Sequence, residues 1–220
     1  KTILWNDFLS QGEFDVFVKD SNGECGEGIF ALQRRKGVLY VNKKETTIEE
    51  INSRINPCLS FIVQERISQH PALNKIYDKS INTIRLETVI NPKTKEIEIL
   101  PPLLRVGTSG HNVDNWAMGG LAIGIDEKGC LKKYGFYKPS FGTKTTQHPD
   151  TEVVFENYSI PFFAEAVDMA RRLHEIHSIG WDIAITDAGP CFIEGNDNWE
   201  ISLVQICSKG LQREFEELFF

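Results

Sequence analysis

The stretch "GWDIAITDAGPCFIEGNDNWE", residues 180 to 200, places acidic residues inside a segment that is otherwise rich in Trp, Ile and Phe. The pattern predicts a β-hairpin, because "GWDIAIT" and "CFIEGN" alternate apolar and polar residues on either side of "DAGP". A three-residue loop, residues 187 to 189, would set Asp182 directly opposite Glu194 and put Asn196 on the same face. A two-residue loop made of the last two of these would turn the two acids to opposite faces. The register of this hairpin therefore decides whether the stretch forms a site.

Carboxylates at cross-strand distance repel each other unless a proton or a cation lies between them. Two carboxylates and one amide oxygen are hard ligands of the kind that suits Mg²⁺. The hairpin therefore predicts a magnesium site made of Asp182, Glu194 and Asn196. The alternative is an ordinary amphipathic hairpin whose acids face the solvent, and the sequence of the hairpin leaves both interpretations open.

Composition limits the kinds of partner that the protein can have. The chain has 220 residues, 41% of them hydrophobic, which is enough to bury the core of a globular protein. Its 31 acidic and 24 basic residues give a formal charge of -7, which disfavours binding to nucleic acid or to an anionic membrane. No apolar run reaches the ~18 to 20 residues of a membrane span. Five scattered cysteines without a C-x-x-C pair indicate a reducing compartment, so we expect a cytoplasmic location.

Strand patterns outnumber helix patterns along the chain. They follow one another as hairpins, without the regular strand-helix alternation of a parallel sheet, so the sequence predicts the α+β class and disfavours a doubly wound nucleotide fold. Thr47, with Glu50 three residues later, forms a capping box and predicts a short helix. A longer helix is predicted from Ser159 as its cap, with Pro161 in the first turn.

A glycine-rich loop follows the first predicted strand. The strand "FDVFVKD" has the period-two pattern of a half-buried strand, with Phe14, Val16 and Val18 on one face, and it ends near Lys19. The loop "SNGECGEG" after it carries Gly23, Gly26 and Gly28 before a second strand begins. The glycine spacing matches neither the dinucleotide fingerprint nor a P-loop. A glycine-rich hairpin can still place backbone amides over phosphates while a strand lysine supplies positive charge. The alternative is a plain surface hairpin.

These features occur in an order that resembles the ATP-grasp superfamily. The order is a strand lysine with a glycine loop, then "FIVQERI", then a hairpin with the pattern D-x(11)-E-x-N. The segments "SINTIRLETVI", "RVGTSGHNVDNWAMGG", "HPDT" and "GWDIAITDAGPCFIEGN" are similar to the sugar-transfer-associated ATP-grasp family. This resemblance covers most of residues 14 to 210.

The resemblance implies an ATP-grasp fold with two α+β lobes and a nucleotide site between them. Residues 1–63 would form the N-terminal lobe with the glycine-rich loop, and residues 64–220 the C-terminal lobe with the magnesium hairpin. ATP and Mg²⁺ would be the cofactors, and adenine would bind the backbone of residues 65 to 67. The implied nucleotide-binding residues are Lys19, Gly23, Gly26, Gly28, Gln64, Glu65, Arg66 and Ile67.

Two departures from the family pattern bear on the site. The chain lacks the N-terminal segment that carries the first phosphate-binding lysine of many members, so part of the fold is expected to be missing here. Trp181 stands where D-alanine:D-alanine ligase and its relatives often carry an arginine. Another arginine is then expected to meet the transferred phosphate together with Lys19. Arg85 and Arg105 are the candidates, with Arg85 preferred, and a structural ion pair is the alternative for each.

The loops that resemble those of the family are expected to bind the substrate. Asp114, Asn115 and His148 are the candidates there, and a plain role in turns is the alternative. The reaction that the resemblance implies is ligation of a carboxylate to an amine or a sugar-linked acceptor through an acyl phosphate, in polysaccharide or cell-surface glycan biosynthesis. A kinase acting on a sugar hydroxyl and a nucleotide-binding scaffold without turnover are the alternatives.

Overall fold

The computed structural model describes residues 4–21, 29–55, 60–111, 114–173 and 177–219. The chain divides into two compact units, Lys1–Arg66 and Ile67–Phe220. Both units combine antiparallel strands with short helices, so the predicted α+β class is confirmed. None of the helices in the described part of the chain is long and apolar enough to cross a membrane.

The first unit contains a five-stranded antiparallel sheet with the order β4-β3-β2-β1-β5. Val16 and Val18 of β1 are buried in its core while Lys19 is half-buried, as the period-two pattern predicts. The elements are α1 (Trp5–Leu9), β1 (Phe14–Asp20), β2 (Phe30–Arg35), β3 (Val38–Val41), β4 (Lys44–Thr46), α2 (Ile48–Arg54) and β5 (Phe61–Glu65).

The predicted cap at Thr47 begins α2, but the capping box is only half formed, because the carboxylate of Glu50 accepts from the hydroxyl of Thr46 at 2.7 Å. The side chain of Thr47 accepts a hydrogen bond from the backbone N–H of Glu50 at 3.2 Å. It thereby satisfies one of the donors that a helix start leaves open. Ile51 on the inner face of this helix is fully buried, which fixes α2 against the sheet.

The second unit is built on an eight-stranded antiparallel sheet with the order β11-β10-β9-β8-β6-β12-β13, where β7 also pairs with β6. A 3-10 helix, Trp116–Met118, precedes β9. The other elements are α3 (Pro71–Ile76), β6 (Thr83–Ile90), β7 (Ile97–Ile99), β8 (Leu103–Val106), β9 (Leu121–Ile125), β10 (Leu131–Tyr137), β11 (Lys144–Thr145), α4 (Phe163–Arg171), β12 (Ser178–Thr186), β13 (Gly189–Asn196), α5 (Ile201–Cys207) and α6 (Gln212–Phe219).

The two faces of this sheet differ in chemistry. One face packs an apolar core that includes Ile84, Leu104 and Ile183. On the other face a smaller apolar cluster, with Leu103 and Val204, lies beside the charged residues described below. Strand alternation therefore separates a structural face from a polar one.

The helix predicted from Ser159 begins later than expected. Ser159 forms a β-bridge with Cys130, and α4 begins only at Phe163. Phe162 precedes the helix in a left-handed conformation, with φ 55°, and no side chain caps the helix start. The prediction of a cap at Ser159 is wrong because a long-range strand contact uses this residue.

Candidate functional site

The hairpin of β12 and β13 brings Asp182 directly opposite Glu194, and this predicted pairing is confirmed. The predicted three-residue loop is wrong. Thr186 pairs with Gly189, so the loop has two residues, 187 and 188. The register shifts between Ile183, which pairs with Phe192, and Asp182, which pairs with Glu194. Ile193 is therefore the extra residue of a β-bulge. The bulge supplies the odd residue that the prediction assigned to the turn.

The neighbouring strand places an arginine against the aspartate of this hairpin. Arg85 of β6 is the register partner of Asp182, and both side chains are buried. The Nε of Arg85 donates to Oδ1 of Asp182 at 2.7 Å, and one terminal nitrogen donates to Oδ2 at 3.2 Å. This two-point contact is the geometry in which a guanidinium binds a carboxylate best.

A second arginine binds the same carboxylate. Arg105 of β8 donates from Nη1 to the two oxygens of Asp182 at 3.2 and 3.0 Å, and from Nη2 to Asp114 at 2.9 Å. Burial lowers the pKa of the Arg105 guanidinium, but Asp114, Asp182 and Glu194 outweigh this and raise it. Arg85 and Arg105 thus lie side by side, and both form buried ion pairs, which was the alternative interpretation of each arginine in the sequence.

Asp114 anchors the loop before the 3-10 helix to this charged face. Its Oδ2 accepts hydrogen bonds from the backbone N–H and the hydroxyl of Thr83. Burial raises the pKa of the Asp114 carboxyl, whereas Arg105 and Thr83 oppose that shift. Asp114, which the sequence analysis expected to face the substrate, therefore holds Arg105 and β6 in place.

Glu87 is a member of this charged face that the sequence analysis missed. It lies two residues after Arg85 on β6, it is fully buried, and neither carboxylate oxygen has a hydrogen-bond partner in the described structure. Burial raises its pKa to about 7, a shift that Arg85 opposes and Asp182 increases. The sequence did contain a signal for Glu87, because Arg85 and Glu87 are two charged residues, two positions apart, in the otherwise apolar strand "TIRLETVI".

The carboxylates of this face outnumber its cations. Arg85 and Arg105 lie beside Asp114, Asp182, Glu87 and Glu194, all of which act electrostatically on one or both arginines. Glu194 is exposed, and burial raises the pKa of Glu87 to about 7, so a proton can compensate that carboxylate. A proton on Glu87 therefore leaves the buried charges balanced, with Arg85 and Arg105 against Asp114 and Asp182.

The residues of the predicted metal site fit Mg²⁺ by their donor atoms. Asp182 and Glu194 supply carboxylates, and Asn196, the register partner of Gly180, lies two residues beyond Glu194. The amide nitrogen of Asn196 donates to the carbonyl of Gly180 at 3.2 Å, which leaves the amide oxygen for another contact. Within the described ranges, no group of three His, Cys, Asp or Glu residues could hold a metal. A site here therefore depends on the asparagine oxygen and on ligands from the nucleotide.

A family model for sugar-transfer associated ATP-grasp proteins matches residues 4–218. The chain belongs to this family. The mixed sheets and few helices are consistent with the ATP-grasp fold, and membership supports ATP binding and a glycan-related role. A search of curated proteins found no match.

The first unit of this ATP-grasp protein contains the described residues expected to bind nucleotide except Ile67, which is the first residue of the second unit. Lys19 of β1 pairs with Ile62 of β5, and Gln64 pairs with Phe17, so these four side chains share the face opposite the core. β5 is the edge strand of the described sheet, and Ile62 is 54% exposed. Gly23, Gly26 and Gly28 lie outside the described residues.

The edge of β5 that faces away from β1 gives the predicted adenine contact a physical basis. The N–H of Arg66 donates to the carbonyl of Asp15 on β1 at 3.1 Å. Because the backbone groups of an antiparallel strand alternate in direction, those of Glu65 point away from β1. The side chain of Arg66 lies 5.7 Å over the ring of Phe17. The adenine contact with residues 65 to 67, including Ile67, stays a prediction.

Asn115 and His148 hold loops of the second unit together. The side chain of Asn115 caps the 3-10 helix by accepting from the N–H of Ala117 at 2.9 Å. Nδ1 of His148 accepts from the N–H of Asp150 at 3.2 Å, so its Nε2 carries the proton and donates to the carbonyl of Gly107 at 2.8 Å. His148 is fully buried, and burial lowers its pKa. Their expected contacts with the substrate stay predictions.

Proposed function

We propose that this protein is an ATP- and Mg²⁺-dependent ligase that joins a carboxylate to an amine in glycan biosynthesis. One observation carries the proposal: the register that sets Asp182 opposite Glu194, with Arg85 and Arg105 on the adjoining strands. Carboxylates that can bind magnesium, beside arginines that can meet a phosphate, are what phosphoryl transfer from ATP requires.

The proposed reaction has two steps. An oxygen of the substrate carboxylate attacks the γ-phosphorus of ATP, ADP leaves, and an acyl phosphate forms. The amine then attacks the acyl carbon, phosphate leaves, and the nitrogen loses a proton to give the amide. Bound Mg²⁺ would neutralise the phosphate oxygens. One of the two arginines would stabilise the negative charge that develops during transfer.

The sheet edge formed by β10 and β11 supports an anionic saccharide as the substrate that carries the carboxylate. Residues 131–147 contain four lysines and no Asp or Glu, although the whole chain is acidic. The Nζ of Lys144 lies 4.2 Å over the ring of Tyr134, and Phe141 nearby in sequence is 54% exposed. Exposed aromatic rings can pack on sugar rings, and lysines can pair with carboxylates or phosphates. A uronic acid oligomer is the substrate class that fits this chemistry.

Trapping with hydroxylamine tests the reaction type. The protein is incubated with ATP, Mg²⁺, hydroxylamine and candidate uronic acids, and ADP and hydroxamate are measured. An acyl phosphate gives hydroxamate in proportion to ADP. ADP with a stable sugar phosphate and no hydroxamate would indicate the kinase, and no acid-dependent ADP release would contradict the ligase assignment.

Glu194→Gln tests the metal site within this reaction. The substitution keeps the shape of the side chain and removes its charge, so we expect Mg²⁺-dependent turnover to fall by roughly a hundredfold or more. Unfolding in urea checks that the variant is folded. Near-normal turnover in Glu194→Gln would mean that this carboxylate does not bind the metal.

A further inference from the structure

The carboxylate of Asp182 is fully engaged by arginine. Arg85 and Arg105 together make four hydrogen bonds to its two oxygens, at 2.7 to 3.2 Å. A carboxylate offers about four lone-pair sites. Binding of a cation by Asp182 therefore requires that at least one arginine gives up its contact.

Each of the two arginines has a second carboxylate beside it. Arg105 already donates to Asp114. Arg85 has Glu87, two residues along the same strand and therefore on the same face. A Cβ placed on Gly180 would lie 3.1 Å from Nη1 of Arg85, and Gly180 is the register partner of Glu87. This end of the guanidinium is thus directed toward the row that contains Glu87.

Glu87 is available to accept such a contact. It is fully buried, and both of its oxygens are without a hydrogen-bond partner in the described structure. Buried polar atoms are nearly always paired, so an unpaired buried carboxylate next to a guanidinium calls for an explanation. A state in which Arg85 binds Glu87 supplies one.

We propose that Glu87 is a positioning residue that receives Arg85 when Asp182 turns to bind magnesium with the nucleotide. This inference rests on the proposed function and assigns a role to a residue outside the expected site. The exchange keeps Arg85 paired while it frees one lone-pair site on each oxygen of Asp182, both of which still accept from Arg105. It also holds the guanidinium at one edge, so that its other nitrogens can face a phosphate.

Binding of magnesium with a non-hydrolysable nucleotide tests the exchange without turnover. Calorimetry with Mg²⁺ and adenylyl imidodiphosphate is compared for the wild type and Glu87→Gln. We expect roughly tenfold weaker binding in the variant, because Arg85 then has no second carboxylate. We expect the metal-free variant to be at least as stable in urea as the wild type, because a buried unpaired carboxylate has been removed. A purely structural glutamate would give lower stability and unchanged affinity.

Glu98→Gln is the matched control, since Glu98 is an exposed carboxylate on the adjacent strand β7. It should change neither affinity nor stability. Glu87→Met, with a side chain of similar length, replaces the first variant if that one does not fold. The NMR signal of the Arg85 Nε–H should shift when Mg²⁺ and adenylyl imidodiphosphate are added to the wild type, and its position in the bound state should differ in the Glu87 variants, which lack the second carboxylate.

The outcomes separate this inference from the proposed function. Equal magnesium affinity in the wild type and Glu87→Gln would overturn the exchange and leave the proposed ligase untouched. Absence of magnesium binding in the wild type would overturn both the exchange and the proposed metal site.

Discussion

At the scale of single residues, Asp182 is the carboxylate on which two buried arginines depend. Asp182→Asn removes the negative charge and leaves Arg85 and Arg105 buried without it. We expect the free energy of unfolding to fall by about 3 kcal/mol or more, since breaking one side of a buried ion pair leaves uncompensated charge. Urea unfolding of the metal-free protein measures this loss.

Asp168→Asn is the control for that prediction. Asp168 forms an exposed ion pair with Arg172, four residues later in the same unit. Exposed pairs contribute about 0 to 1 kcal/mol, so this variant should unfold close to the wild type. Equal losses in the two variants would show that Asp182 is not a buried structural anchor.

The pKa of Glu87 predicts how stability depends on pH. Its pKa is raised from the ordinary value of 4.5 to about 7, chiefly by burial. The unfolded chain loses this proton near pH 4.5 whereas the folded protein keeps it to about pH 7. The stabilising contribution of protonated Glu87 to folding is therefore fully present below pH 4.5 and is lost as the pH rises to about 7. A shift of this size corresponds to about 3 kcal/mol at most.

Urea unfolding between pH 4.5 and 8, in metal-free buffer, checks this slope. Glu87→Gln cannot titrate at this position, so the difference between wild type and variant isolates the contribution of Glu87. We expect the variant to gain stability relative to the wild type as the pH rises. A constant difference across this range would contradict the raised pKa.

At the scale of secondary structure, the start of α2 depends on one hydroxyl. Thr47→Ala removes the acceptor for the N–H of Glu50, and we expect a loss of about 1 kcal/mol in the free energy of unfolding of the first unit. Thr47→Ser keeps the hydroxyl and should retain most of the stability. If the alanine and serine variants unfold alike, the hydroxyl is not what stabilises this helix start.

At the scale of the whole molecule, charge is unevenly distributed. The chain carries a formal charge of -7, yet residues 131–147 contain only basic charged residues. An anionic saccharide should therefore bind in a salt-sensitive way. We expect the affinity for a galacturonic acid oligomer to fall about tenfold between low and high salt, and by a similar factor in Lys133→Gln/Lys144→Gln.

Lys128→Gln is the matched control, because Lys128 is an exposed lysine in the turn between β9 and β10, outside the lysine-rich segment. It should bind the oligomer as the wild type does. A neutral oligosaccharide of equal length should show little salt dependence. Equal binding of the acidic and the neutral oligomer would contradict the anionic substrate.

Much of the fold follows from local patterns in the sequence. Alternation in β1 predicts the burial of Val16 and Val18, and the spacing of Thr47 and Glu50 predicts the cap of α2. The consecutive hairpins predict the α+β class. These features depend on neighbours in the chain, so their periodicity and turn chemistry are visible without the structure.

The tertiary structure decided how the charged residues of the site pair. The sequence predicts Asp182 opposite Glu194, but the structure reaches that register through a bulge at Ile193 and not through a longer turn. Arg85 and Asp182 are 97 residues apart in the chain, and only the pairing of β6 with β12 brings them together. The same pairing buries Glu87 beside them without a hydrogen-bond partner in the described structure. Local periodicity gives the face on which a side chain lies, whereas the pairing of distant strands determines which charges meet there.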